Sequence, residues 1–261
     1  MGQAIFRFYA ELNHFLPQPQ RYQTLPYALN GRTSVKHPVE ALGVPHTEVA
    51  LLLANGEPVS FDYLLQEGDR IAVFPAFHSF EVDGEARLRP PLPHPPRFLL
   101  DVHLGQLATY LRLLGFDSVY RNDYEDDELA DLAEETGRVL LTRDRRLLMR
   151  KQVTYGFCLH TRDPEEQVRA VLRRYELFEE IDPWQRCLRC NGELEPVAKE
   201  DVLPLLEPKT RRYYDEFHRC RECGNVYWKG SHYPRMQRLI ARIRTAADRQ
   251  PGIARTMDAE Q

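Results

Sequence analysis

Apolar and polar residues alternate with period two through QAIFRFY at 3–9, which predicts a strand. VALLLA at 49–54 predicts a second strand, closed by the tight-turn pair Asn55-Gly56, and RIAVF at 70–74 predicts a third. Between the first two, TSVKHPVEALGVPH carries a cap, a short helical stretch and a stop. Strand, long turn, helix, then short strands is a small β-grasp-like order, assigned to residues 1–80.

The pattern then breaks. Residues 81–96 contain Pro90, Pro91, Pro93, Pro95 and Pro96, a composition that resists helix and sheet and predicts an extended linker. Residues 97–182 alternate strand-like and helical runs. RFLLD is followed by HLGQLATYLRLLG, whose Leu104, Leu107, Ala108, Leu111 and Leu114 recur at helical spacing before Gly115. DSVY, then DDELADLAEETG closed by Gly137, then RVLLT, RRLLMR and YGFCLH continue the alternation. DPEEQVRAVLRRY ends it, with Asp163 as N-cap, Pro164 at the first helical position and Glu166 completing a capping box. Repeated β–α units predict a mostly parallel sheet covered by helices, with ligands beyond the carboxyl ends of its strands. Residues 183–232 form a cysteine-bearing module. In 233–261, PRMQRLIARIRTAA predicts a basic amphipathic helix packed on that module, ahead of a tail expected to be disordered.

The strand ends carry the candidate chemistry. Asp101 follows the first strand of the parallel domain, Asp144 stands two residues past the third, and Asp126 opens the intervening helix beside Asp127 and Glu128. Gathered carboxylates repel unless a cation neutralises them, and hard oxygen ligands suit Mg²⁺ or Mn²⁺. Such an ion activates water for phosphodiester hydrolysis without a histidine base. The plain alternative is that Asp126 and Asp144 cap helices and Asp101 ends a strand. The Thr142 hydroxyl would support the site. Arg143, Arg145 and Arg146 would meet RNA phosphates or sit in a solvated helix start, and His103 would face substrate or solvent.

Composition sharpens this only in part. The chain has 261 residues, 43% hydrophobic and 28% charged, with net charge −4, an ordinary globular balance. Residues 184–261 hold 15 basic against 11 acidic side chains, so the last third is mildly basic and suited to a phosphate backbone. The start lacks a basic stretch followed by an apolar core, and no apolar run approaches a membrane span. A cytoplasmic protein without membrane contact is expected. Of five cysteines, Cys187, Cys190, Cys220 and Cys223 form C-x₂-C…x₂₉…C-x₂-C, which predicts a closed structural zinc site rather than disulfides. Cys158, in an apolar strand, is expected in the core. Around the hooks, Tyr213, Tyr214, Tyr227, Trp228 and Lys229 interleave with Arg211 and Arg212, and the two arginines are the better RNA-contact candidates.

Two stretches resemble known families. FRFYAELNHFLP and SVKHPVEALGVPHTEVALLLANGEPVSFDYLLQEGDRIAVFP resemble the ubiquitin-like domain of Mut7-C-type proteins and, distantly, sulfur carriers of the ThiS/MoaD type. Those carriers act through a free terminal Gly-Gly. Here the segment runs on into FHSFEVDGEARLRP, so a binding or positioning role with a protein partner is expected instead. FLLDVHLGQLATYLRLLGFDSVYRND and DDELADLAEETGRVLLTRDRRLL resemble the Mut7-C RNase domain, a member of the PIN-like nucleases with a C-terminal zinc ribbon. The resemblance implies metal-dependent RNA cleavage by Asp101, Asp126 and Asp144. Asp127 or Glu128 would replace or supplement Asp126, and Asp163 is a candidate fourth carboxylate. The expected fold is multidomain α+β and α/β: a β-grasp-like N-terminal domain, a PIN-like parallel α/β sheet domain and a zinc ribbon. The expected function is a ribonuclease using Mg²⁺ or Mn²⁺ on RNA, with structural Zn²⁺. The competing expectation is a non-catalytic RNA-binding or interaction protein.

Overall fold

The computed structural model describes residues 2–76 and 87–245. Its first domain comprises β1 (Gln3–Phe8), β2 (Thr24–Ala28), α1 (Lys36–Ala41), β3 (Val49–Ala54), β4 (Glu57–Pro58) and β5 (Arg70–Pro75). The sheet order is β2-β1-β5-β3-β4, with β1 and β5 parallel and the other pairs antiparallel. This is the β-grasp-like order expected. The alternation read in β1 buries Ala4, Phe6 and Phe8. Strand β2 was not legible, because Pro26 interrupts it. Proline is tolerated there because β2 is an edge strand, where a missing N–H leaves no ladder bond unmade.

The second domain runs β6 (Phe98–Leu100), α2 (Gly105–Leu113), β7 (Ser118–Tyr120), α3 (Asp126–Thr136), β8 (Val139–Thr142), α4 (Arg145–Leu148), β9 (Gly156–Cys158) and α5 (Pro164–Arg174). All its strand pairs are parallel, in the order β7-β6-β8-β9. Strands β6 and β8 are buried throughout, as continuous apolar runs between two covered faces must be. On one face Phe98, Leu100 and Leu141 pack with Leu107, Leu111, Val168 and Val171 of α2 and α5. On the other, Leu99 and Leu140 join Leu129 and Leu147 of α3 and α4.

That second core does not stop at the helices. It continues into Phe8, Leu12, Phe15 and Val49 of the β-grasp domain. The N-terminal domain is therefore a layer of the parallel sheet's cover, not a tethered bead. Polar bonds pin the junction: Glu48 Oε1 accepts from the Cys158 amide at 2.6 Å, and His46 Nε2 lies 2.9 Å from the Val153 carbonyl. Burial raises the Glu48 pKa against the lowering pull of Arg174. The described part of the proline-rich segment also packs. Arg89 donates to the carbonyls of Thr47 at 2.6 Å, His46 at 3.3 Å, Thr154 at 3.4 Å, and Val49. Pro90 to Pro96 thus leave an anchored arginine instead of a free spacer; residues 81–86 lie outside the described residues.

The third unit carries β10 (Leu194–Val197), α6 (Lys199–Val202), α7 (Pro208–Tyr213), β11 (Phe217–Cys220) and β12 (Val226–Trp228), an antiparallel β10-β11-β12 sheet with a small core of Val202, Leu206 and Phe217. Helix α8 (Tyr233–Arg244) follows. The expectation that it packs on the ribbon is corrected. Leu239, Ile240 and Ile243 enter the α2–α5 core, and Arg242 pairs with Glu165 of α5. The ribbon's own core is too small to bury such a stripe, whereas the α5 layer offers a large apolar face. The predicted disorder of the tail falls on 246–261, outside the described residues. Among the described residues no helix is long and apolar enough to cross a membrane.

Candidate active site

The chain steps outward from β6 to β7, then returns past β6 to β8. With right-handed crossovers, such a reversal puts successive helices on opposite faces. Ligands of such sheets bind beyond the carboxyl ends of the two strands that flank the reversal, here β6 and β8. Asp101 directly follows β6, and Thr142 is the last residue of β8.

These two side chains meet. Thr142 Oγ1 donates to Asp101 Oδ2 at 2.6 Å and accepts from the Asp144 amide at 2.9 Å. One buried hydroxyl thus fixes both the carboxylate of Asp101 and the backbone that presents Asp144. Asp101 is 6% exposed and Thr142 is fully buried, so the pair is desolvated and hydrogen-bonded, as burial of polar groups demands. Asp144 is exposed and caps α4, its Oδ1 accepting from the Arg146 amide at 2.7 Å. Each carboxylate keeps a second oxygen that accepts no hydrogen bond among the described residues, which is the donor type a hard divalent cation takes.

The helix-start carboxylates sit differently. Glu125, not Asp126, is the N-cap of α3, closing a capping box with Glu128. Glu128 also pairs with Arg121, and Asp127 with Arg150. Asp126 is exposed and carries no ion pair among the described residues. These three do not join Asp101 and Asp144 in a group of ligand atoms close enough to share one ion. Asp163 caps α5 through its bond from the Glu165 amide at 2.9 Å.

Of the arginines, Arg143 and Arg146 are exposed, and their guanidinium groups make no hydrogen bond or ion pair among the described residues, while Arg145 is not free. Its Nη1 donates to the Phe15 carbonyl at 2.7 Å and its guanidinium lies over the Phe15 ring at 5.2 Å. The Phe15 ring in turn meets His160, just past β9, at 5.0 Å between centroids. Burial, with help from His14 and Arg145, lowers the His160 pKa. The turn at Ala10–Phe15 of the β-grasp domain therefore stands beside the same sheet edge as Asp144. Sequence reasoning did not find this wall, because its partners are about 130 residues apart and no local pattern links them. His103 is exposed on the turn after Asp101. Arg211 donates within the ribbon to the Leu206 carbonyl at 2.7 Å, and exposed Arg212 lies over the Tyr213 ring.

The four cysteines do converge. Their sulfurs lie within 4.8 Å of one another, with Cys187–Cys223 at 3.6 Å and Cys190–Cys220 at 3.4 Å. These are near the ~3.8 Å edge of a tetrahedron with Zn–S bonds of about 2.3 Å, and far beyond a disulfide's length. The donor set therefore fits zinc. Burial raises the Cys187 thiol, but bonds from the Tyr227 hydroxyl and backbone amides prevail and bring it down to about 6. Cys158 is a core residue, its thiol pushed up to about 12 by burial.

The anchors of this module were also missed. Arg112, in α2, donates to the Ser118 carbonyl at 2.9 Å and to the knuckle carbonyls of Leu188 and Arg189, each at 3.1 Å. Asn191 accepts from the Ser118 amide at 2.8 Å and donates to Asp117 at 2.7 Å. Its φ of 76° is a left-handed conformation that asparagine tolerates. Arg138 and Asn191 hold the Asp117 carboxyl below its usual range against the opposing pull of burial.

A parallel sheet with strand-end carboxylates, a β-grasp layer and a four-cysteine ribbon define a multidomain protein of nuclease-like architecture. Residues 96–240 match the family model of the Mut7-C RNAse domain, and residues 1–81 match that of Mut7-C ubiquitin. The chain belongs to the Mut7-C RNAse domain family, which supports an RNase-type activity in general. No curated protein matches it. Among solved structures, two crystal structures of small archaeal modifier protein 1 from Haloferax volcanii are similar at 20% and 22% identity. Each match covers 30% of this chain and 100% of that one, with a TM-score of 0.25.

Proposed function

We propose that the protein is a metal-dependent ribonuclease whose active site is the crevice beyond β6 and β8. The observation that carries this reading is the Asp101–Thr142–Asp144 linkage, seated where the strand order reverses. Asp101 and Asp144 would hold Mg²⁺ or Mn²⁺. Asp126, which stands apart from Asp101 and Asp144 but carries no ion pair among the described residues, would have to move closer to join them as a third ligand, while Asp127 and Glu128 are engaged with arginines. Such an ion, when bound, supplies an activated water and neutralises charge on the phosphoryl oxygens.

The chain's own residues do the positioning. Thr142 holds Asp101 in one rotamer, so its free oxygen is aimed before substrate arrives. The cap to Arg146 holds Asp144 likewise. Arg143 and Arg146 bind flanking phosphates, which fixes register without reading sequence. The Ala10–Phe15 turn walls one side of the crevice, giving the β-grasp domain a positioning role. Zinc at Cys187, Cys190, Cys220 and Cys223 is structural, and a cytoplasmic location suits four reduced thiolates.

The test is cleavage of single-stranded and structured RNAs with Mg²⁺ or Mn²⁺. Asp101→Asn and Asp144→Asn are expected to abolish cleavage and leave RNA binding intact. Undiminished cleavage by both variants, folded as judged by circular dichroism, would remove this site from consideration.

A further inference from the structure

At the other end of the parallel domain, where α2 ends, a cleft of about 390 Å³ lies between the ribbon sheet and the start of α8. Its walls are aromatic: Trp184, Tyr227, Trp228 and Tyr233, with Arg186 and Lys229 among the lining. Trp184 and Tyr233 already pack against each other in a tilted arrangement, at 4.9 Å between centroids and 32° between planes. Trp184 has φ of +73°, a left-handed conformation that is unfavourable for a bulky side chain and persists only where surroundings impose it. Here Tyr233 helps hold the indole against the cleft. Trp228 is 39% exposed, so an aromatic face remains available to a ligand.

We infer that this cleft binds an unpaired nucleobase of single-stranded RNA, a site separate from the carboxylate crevice. Stacking surfaces that hold a base need cations to hold its phosphates. Exposed Arg235 and Arg238, on the adjoining helix α8, carry no ion pair among the described residues and supply them. Lys229 is paired with Glu216 at 2.5 Å at the rim, a contact an incoming phosphate would compete for. A base stacked on Trp228 gains affinity whatever its identity, so the site would grip RNA without sequence choice.

The placement has a consequence for substrate length. Helix α2 spans nine residues, about 13.5 Å at 1.5 Å per residue, between the Asp101 edge and the cleft. One strand occupying both sites must bridge at least that distance, so mononucleotides and dinucleotides would reach only one of them. This part rests on the ribonuclease reading; occupancy of the cleft does not.

The chain's two tryptophans both line the cleft, so intrinsic indole fluorescence reports on it directly. The experiment uses the full zinc-loaded chain carrying Asp101→Asn and Asp144→Asn, so that RNA is held uncut. Titration with unstructured eight-nucleotide oligoadenylate and oligouridylate is expected to quench both indoles, in step with anisotropy of the labelled oligomer. Trp228→Ala should weaken binding roughly fivefold to a hundredfold. Trp228→Phe should restore most of it, and zinc content should be unchanged in both. RNA bound without quenching, or bound equally by Trp228→Ala, overturns the cleft assignment. So does binding of neither oligomer. Cleavage by the unaltered protein is scored separately: cutting without quenching sinks the cleft alone, and quenching without cutting sinks the ribonuclease reading alone.

Discussion

Thr142→Val keeps the shape of a fully buried side chain and removes one oxygen. That oxygen makes two bonds, one to a carboxylate and one from an amide. A hydrogen bond to a charged group contributes about 1.5–3 kcal/mol, and a buried donor left unmatched costs about 1–3 kcal/mol. Asp144 can regain water on its exposed side, so the lower half of that sum applies, about 3 kcal/mol. Thr142→Ser keeps the oxygen and loses one methyl, about 1 kcal/mol. Urea unfolding followed by circular dichroism measures both. In an Asp101→Asn background the cost of Thr142→Val should shrink, because the partner is no longer charged. Cleavage by Thr142→Val is expected to fall about a hundredfold, as loss of carboxylate orientation implies. A Val variant within about 0.5 kcal/mol of the parent would refute the reasoning. Equal damage from Ser and Val would point to packing instead of hydrogen bonding.

Three further outcomes follow from other contacts. Glu48 has a raised folded pKa, so the stability linked to its protonation is present below its unfolded pKa and lost as pH rises through the folded value. Urea midpoints from pH 4.5 upward should therefore fall for the parent relative to Glu48→Gln, and parallel curves would contradict this. Cys220→Ser is expected to abolish stoichiometric zinc by atomic absorption and expose the ribbon to protease, while the parallel sheet's circular dichroism signal persists. Arg112→Met removes three bonds to the sheet and the first knuckle, a loss of about 3 kcal/mol at about 1 kcal/mol each. It should lower the melting temperature and loosen the ribbon with zinc still bound; a melting temperature unchanged from the parent would deny that anchor its role.

The β-grasp layer changes how the architecture is understood. A proline-rich connector ordinarily implies two bodies moving independently. Here Arg89 ties the connector to both sides of the junction, and Glu48 and Arg145 cross it. Burial lowers the Arg89 guanidinium to about 10, with Arg174 adding to the effect. A buried cation persists there because carbonyls surround it. Separating the domains would strand these groups, so the two are expected to unfold together.

What the sequence determined by itself were the features written in local periodicity and spacing. The β–α alternation of 97–174 gave the parallel sheet, because strands covered on both faces must be short continuous apolar runs. The two C-x₂-C hooks gave the cysteine cluster, because four thiolates at that spacing have one compact way to close. Asp101, Thr142 and Asp144 were legible as strand-end residues for the same reason. Only the tertiary structure decided what those residues touch. It joined Asp101 to Asp144 through Thr142, left Asp126 to Glu128 outside that linkage, and turned Arg145 toward Phe15. It sent α8 to α5 and placed Trp184 and Trp228 in the lining of one cleft. Each of these depends on contacts between segments distant in sequence, where register and burial are set by the whole packed chain and no local pattern carries the information.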